Sequence, residues 1–242
     1  MNAKQADALA QQVSLYIQEG KADAAYELLT LIIADKIPFR YLHRIGKALG
    51  AQPLSSVNPL LRRLAGSQTI GAWPIIGTSL AGWFEGNLDE VLTQTRKYII
   101  QGDTWHSTDN LGERVVGPAL VQHFDETMQL LVPWRVDENR WVRRSLGTAT
   151  HLWTKRAKGK PELAANAEIL LAFLSPLFEE KEIDAVKGIG WGLKTLGRYY
   201  PQPVTIWLVE QAVNQQRLYH ATMLRKALTY LSEEERQRVK PA

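Results

Sequence analysis

Apolar residues recur at intervals of three and four along nearly the whole chain, and strand-like alternation is scarce. The pattern therefore predicts helices almost throughout, near 2–19, 22–35, 38–50, 58–66, 68–84, 87–101, 109–132, 138–157, 161–180, 182–200, 203–216 and 219–231. Local chemistry marks several ends. Asn58 followed by Pro59 has the form of an N-cap with proline at the first helical position. Asn87 with Glu90, and Ser232 with Glu235, have capping-box spacing. "YYPQP" must separate two helices, because proline cannot continue one.

Helices of similar length joined by short turns make either a bundle or a stack of helical hairpins. Trp105, Trp141 and Trp191 lie 36 and 50 residues apart, around the period of roughly 40–47 that HEAT-type helix pairs show. The expected fold is all-α, an α-solenoid of HEAT-like helical repeats (an α-α superhelix) whose equivalent helices line one concave, basic groove. No linker or low-complexity stretch divides residues 1–242, so a single domain is expected.

A chain of 242 residues buries enough surface to need no covalent staples. It has no cysteine, which excludes disulfides, thiolate metal sites and cysteine nucleophiles. The N-terminal "MNAKQADALAQQVSLYIQEG" is too polar for a signal peptide, and no run of 18 apolar residues occurs. These features predict a cytoplasmic monomer with no membrane partner.

The net charge is only +4, with a sequence pI near 9.2. Its location matters more than its size. Between residues 135 and 160 stand Arg135, Arg140, Arg143, Arg144, Lys155, Arg156, Lys158 and Lys160, against Asp137 and Glu138 alone. In the helix expected there, Leu146, Ala149, Leu152 and Trp153 make a core face, and Arg140, Arg144, His151 and Lys155 make a cationic one beside Trp141. Charged helical faces are usually just solvated, but few acids are interspersed here to pair with these cations.

"DAVKGIGWGLKTLGRYYP" carries a second stripe. Val186, Ile189, Leu193 and Leu196 form its core face, and Lys187, Trp191, Lys194 and Arg198 the other. Gly188, Gly190 and Gly192 surround the tryptophan, although each costs a helix about 1 kcal/mol relative to alanine. Either something approaches the backbone closely, or the glycines make room for a neighbouring helix. A third stretch, "GDTWHSTDNLG", sets Trp105 four residues before Asp109. The ordinary reading of Asp109 is an N-cap for the helix expected from 109. His43, His106, His123, His151 and His220 show no close metal-ligand spacing, and phosphate-binding glycine loops and G-x-S-x-G elbows are absent.

Together these stretches resemble the AlkD-type DNA alkylation-repair glycosylases, a family of HEAT-like repeat proteins. The resemblance is carried by Trp105 and Asp109, by "ENRWVRRS" ending near Arg144, by "KGIGWGLKTLGRYYPQPV" around Trp191, and by "LRKALTYL". These occur in the family's order over roughly residues 100–231. The resemblance implies hydrolysis of the N-glycosidic bond of cationic N3- and N7-alkylated purines in duplex DNA, without a base-flipping pocket. It implies Asp109 as the carboxylate near the sugar, and Trp105 and Trp191 against the deoxyribose and backbone. Arg144 would then grip a phosphate beside the lesion. Residues 105, 109, 141, 144 and 191 are expected near one concave face.

The residues suit that chemistry. A cationic alkylpurine is already a good leaving group, while the sugar gains oxocarbenium character. A carboxylate about 4 Å away would stabilise that charge by up to roughly 4 kcal/mol at an effective dielectric of about 20. Tryptophan faces add about 0.5–2 kcal/mol toward a neighbouring cation. Neither metal nor cofactor is required. The DNA-binding candidates are Arg144, Arg140, Arg143, Trp141, His151, Lys155, Lys187, Lys194 and Arg198. Two alternatives stay open: a non-catalytic, lesion-sensing DNA-binding protein, and a protein–protein scaffold.

Overall fold

The computed structural model describes residues 1–239, and every regular element among them is helical. Two compact units divide the chain, the first spanning Met1–Val115 and the second running from Val116 on. In the first, α1 (Ala3–Gln18), α3 (Phe39–Gly50), α5 (Ala72–Leu80) and α7 (Trp105–Leu111) pack each against the next in one layer. The intervening helices α2 (Ala22–Ile33), α4 (Leu54–Gly66) and α6 (Leu88–Gly102) make the other layer.

The second unit repeats the scheme. Helices α8 (Gly117–Gln122), α10 (Arg140–Ala157), α12 (Ile183–Tyr199) and α14 (Ala221–Ala227) form one layer. Helices α11 (Ala164–Leu174), α13 (Pro201–Val209) and α15 (Glu233–Val239) form the other, while the short α9 (Phe124–Leu131) packs against α8. Within each of these layers a helix thus neighbours the helix two places on. That is helical-repeat stacking, the all-α fold expected from the periodicity.

The core follows the apolar stripes. In α10, Leu146, Ala149, Leu152 and Trp153 are buried, as are Val186, Ile189, Leu193 and Leu196 in α12. The first unit does the same with Leu42, Ile45 and Leu49 of α3 against Ile75 and Ile76 of α5. The tightest crossing joins α10 to α12. A Cβ at Gly147 would collide with the backbone of Gly188, and one at Gly192 would come within 2.6 Å of the Gly147 carbonyl oxygen. On its other flank α12 receives α14, where a Cβ at Gly190 would meet Lys226 Cδ at 2.8 Å. The glycines around Trp191 therefore make room for neighbouring helices, with no need of a ligand.

Several expected boundaries move. Helix α4 begins at Leu54, after Pro53, so Asn58 is not its cap. Pro59 lies inside, where it removes the bond to the Ser55 carbonyl and its ring crowds that carbonyl. Asn87 stands at the N-cap of α6, yet its side-chain amide donates to the Glu85 carbonyl and makes no capping bond. The helix expected over 109–132 is four elements. Helix α7 starts earlier, widens into a π-helical turn at Gly112–Val116, continues as α8 with Pro118 near its start, and breaks at His123 before α9. The Ser232–Glu235 box forms, with bonds of 2.7 and 3.2 Å. Tyr200 breaks the chain between α12 and α13, and Pro201 opens α13.

Candidate functional site

In "GDTW", α6 ends on Asp103, whose φ of +41° is left-handed, and Thr104 returns to extended backbone. The Thr104 hydroxyl accepts from the Ser107 N–H at 3.3 Å, so Thr104 caps α7. Asp109 lies a full turn inside that helix, half-buried, and the N-cap reading of it is overturned. Trp105, at the first helical position, is 52% exposed and stacks on His106 with ring centroids 3.5 Å apart. Positions four apart share a helical face, so an exposed aromatic and a carboxylate stand together on α7. The π-helical turn that follows is a deformation often found at functional sites.

In the second unit the cationic stripe of α10 is more buried than its sequence suggests. Asn139 caps the helix by accepting from the Trp141 N–H at 2.8 Å. Trp141 is 5% exposed, with the Arg140 and Arg144 guanidinium carbons 5.0 and 5.9 Å from its ring centroid. Arg140 also pairs with Asp184 at 3.3 Å. Arg144, 8% exposed, donates to the Asp184 carbonyl at 2.8 Å and lies along Gly188. Aromatic and guanidinium groups thus hold one another in place at the start of α10.

Two of the DNA-binding candidates on α10 are not solvated cations. Arg143 forms a bidentate pair with Glu180, Nε to Oε2 at 2.5 Å and Nη2 to Oε1 at 3.1 Å. Its remaining nitrogen donates to the Asp137 and Glu138 carbonyls. Burial alone would raise the Glu180 carboxyl, but the Arg143 guanidinium and the N–H groups of Glu182 and Lys181 bring it below its ordinary value. Arg143 is a clamp. His151 is buried, exchanges a 2.7 Å hydrogen bond with the Thr195 hydroxyl and stacks on Trp191 at 3.9 Å. Burial, and then the Lys155 charge, push its pKa down to about 4, so the ring is neutral at pH 7.

Lys155 is exposed at the end of α10, and Lys187 and Arg198 are exposed on α12 beside the half-buried Trp191 and Lys194. Lys194 and Arg198 both lie over the Tyr230 ring, each 5.3 Å from its centroid. Sequence reading missed Tyr230 and Lys226. Lys226 is half-buried against Gly190, and burial followed by the charges of Lys194, Arg144, Arg225 and Lys187 lowers its pKa. The available signal was the helical phase of "LRKALTYL", which sets Lys226 and Tyr230 four apart on one face. Also missed was His43 of α3, whose Nδ1 lies 2.9 Å from the Thr78 hydroxyl of α5.

Among the described residues no three His, Asp or Glu side chains are grouped to hold a metal ion, and no helix is long and apolar enough to cross a membrane. The surface of α10, α12 and α14 instead offers cations and aromatic faces, which suits an extended anion carrying flat or apolar groups.

No curated protein matches the chain. Among solved structures, the Pseudomonas fluorescens alkylpurine DNA glycosylase AlkC, bound to DNA containing an abasic-site analogue, matches 92% of this chain at 17% identity with a TM-score of 0.49. The chain spans 62% of that protein's length. The profile of the DNA alkylation repair enzymes matches residues 59–231. That match reaches back through α4, α5 and α6, well before the motifs around Trp105, and runs to the end of "LRKALTYL". By a match over more than half its length, through every one of those motifs, the chain belongs to the DNA alkylation repair enzyme family.

Proposed function

We propose that the protein is a DNA glycosylase of the AlkD type, hydrolysing the N-glycosidic bond of N3- or N7-alkylated purines in duplex DNA. The observation that carries the reading is Asp109. It stands half-buried on α7, one turn past the exposed Trp105, in a helix that Thr104 already caps. A carboxylate with no capping duty beside an exposed aromatic suits a sugar that becomes cationic.

In the proposed step, the C1′–N bond of the cationic alkylpurine breaks and its electron pair leaves with the base, which departs neutral. Positive charge shifts to C1′ and the ring oxygen, where the Asp109 carboxylate stabilises it. Water adds to C1′ and loses a proton to solvent, leaving an abasic deoxyribose. No strong general acid is needed, because the leaving group carries its charge beforehand. Trp105 and Trp191 contribute aromatic faces toward the sugar and backbone. Arg144 and Arg140, held by Trp141 and Asp184, supply phosphate contacts, as do Lys155, Lys187, Lys194 and Arg198. His151 serves as the neutral support under Trp191, and Arg143 as the clamp that fixes the start of α10.

The test is incubation with duplex containing one N7-methylguanine, followed by cleavage of abasic sites. The wild type should release the base. Asp109→Asn should be slower by at least an order of magnitude with unchanged thermal unfolding, since one missing charge is worth several kcal/mol at such a site. Full release by Asp109→Asn would remove Asp109 from the chemistry. Duplex binding without release by the wild type would favour the lesion-sensing reading, and absence of DNA binding would favour a scaffold.

A further inference from the structure

One constellation occurs twice. In the second unit, His151 of α10 bonds Thr195 of α12, and α12 receives the Lys226 stem from α14 across Gly190, where a Cβ would meet Lys226 Cδ at 2.8 Å and Cβ at 3.2 Å. In the first unit, His43 of α3 bonds Thr78 of α5, and α5 receives the Arg114 stem from the turn after α7 across Gly77. There a Cβ would meet Arg114 Cβ at 2.9 Å and Cγ at 3.6 Å. Each layer thus carries a histidine–threonine pair between its second and third helices and a cation laid over a glycine of the third.

Neither cation is placed as packing alone would place it. An apolar side chain would cover the glycine without desolvating a charge. The charges that act on Lys226 are all positive, and together with burial they push its ammonium below the ordinary lysine value. Arg114 Nε is buried and makes no hydrogen bond within the protein, while the Arg114 charge helps, after burial, to hold the His43 ring neutral. Like charges gathered around one lysine, and a buried guanidinium nitrogen without an acceptor, both need an anion with several oxygens. The glycines let each stem lie close against the helix backbone.

We infer that Arg114 and Lys226 each bind a backbone phosphate of duplex DNA, one in each unit, as two uses of the same glycine-seated device. The inference rests on the reading that duplex DNA is the ligand. Arg114 would present a two-pronged donor and Lys226 a compact charge, and neither contact carries base information.

The experiment is fluorescence-anisotropy titration of an unmodified duplex over a series of salt concentrations, with thermal unfolding of each variant. Arg114→Met and Lys226→Met keep an apolar stem over the glycine and remove the charge. Each should flatten the log–log salt slope by about one unit, and the double variant by about two. Lys226→Arg should keep the wild-type slope. Where a methionine variant loses its cooperative melt, the glutamine variant at the same position takes its place. Folded variants that retain the wild-type slope overturn the inference while leaving DNA as the ligand. A wild type that does not bind duplex overturns both.

Discussion

His43 and Thr78 join α3 to α5 much as His151 and Thr195 join α10 to α12, with bonds of 2.9 and 2.7 Å. In both pairs a glycine one turn from the histidine, Gly46 or Gly147, brings the helices into backbone contact. Both rings are pushed down to about 4, first by burial and then by a cation, Arg114 in one case and Lys155 in the other. The difference lies in what is built on the joint. Helices α3 and α5 have 12 and 9 residues, whereas α10 and α12 have 18 and 17. The longer pair carries Trp191, Lys194, Arg198 and Lys155, and only in this pair does the histidine ring support a tryptophan. Their ion pairs differ too. Arg44 of α3 meets Asp7 at an exposed site, while the Arg143–Glu180 pair of α10 is largely shielded from water. One joint thus serves packing in the first unit, and in the second it also holds up an aromatic and cationic surface.

The ion pairs offer the sharpest way to break this comparison. Arg143→Ala leaves Glu180 shielded and uncompensated, and should cost about 3–5 kcal/mol in urea unfolding. Arg44→Ala removes only an exposed pair and should cost less than about 1 kcal/mol. Equal losses would mean that burial is not what separates the two units.

The glycine contacts come next. Gly147→Ala would drive a methyl into the Gly188 backbone, and Gly46→Ala into the Ile75 carbonyl oxygen at 2.6 Å. Each should lower stability by about 1–3 kcal/mol, as overpacking does. Gly66→Ala, with open space around its Cβ, should be neutral or stabilising by up to about 1 kcal/mol. Retained stability in Gly147→Ala would show that α10 and α12 can separate without loss.

Thr195→Val and Thr78→Val each remove the hydroxyl that meets a histidine Nδ1, and should cost about 1 kcal/mol. The loss should be larger for Thr195, because His151 is the more buried ring and has less access to water. The reverse order in chemical unfolding would remove the difference between the two joints.

A further expected effect is on pH dependence. Each histidine binds a proton near its ordinary value of 6.5 when unfolded, but only near 4 in the fold. Their contribution is therefore complete above about pH 6.5 and is lost as the pH falls toward 4. Denaturant midpoints taken across that window should decline, and His43→Asn and His151→Asn should each flatten the decline. An unaltered slope in both would mean that neither ring is held neutral.

The stripes of α10 and α12 were legible because a helix of 17 or 18 residues shows its apolar period several times over. The site was legible by residue type, but not by state. Residue type places Arg143 and His151 among the cations, and nothing local says that Glu180, 37 residues on, claims the first. Nor does it say that Thr195, 44 residues on, meets the second. The ordinary cap reading of Asp109 fails because Thr104 holds the capping position, while the resemblance makes Asp109 the carboxylate near the sugar. The tryptophan spacing pointed to repeats without marking equivalent positions, since Trp141 opens α10 and Trp191 sits in the middle of α12. The repeated element was the histidine joint.

By itself the sequence determined that the chain is helical, which face of each long helix is apolar, where proline stops α12, and that cations and tryptophans concentrate after residue 100. All of these depend on neighbours within one or two turns. Tertiary structure alone decided which charges are clamped, which ring is neutral, which glycines face a helix, and that Lys226 and Arg114 are seated on α12 and α5. Those properties depend on burial and on partners dozens of residues away, where desolvation and hydrogen bonding outweigh local spacing.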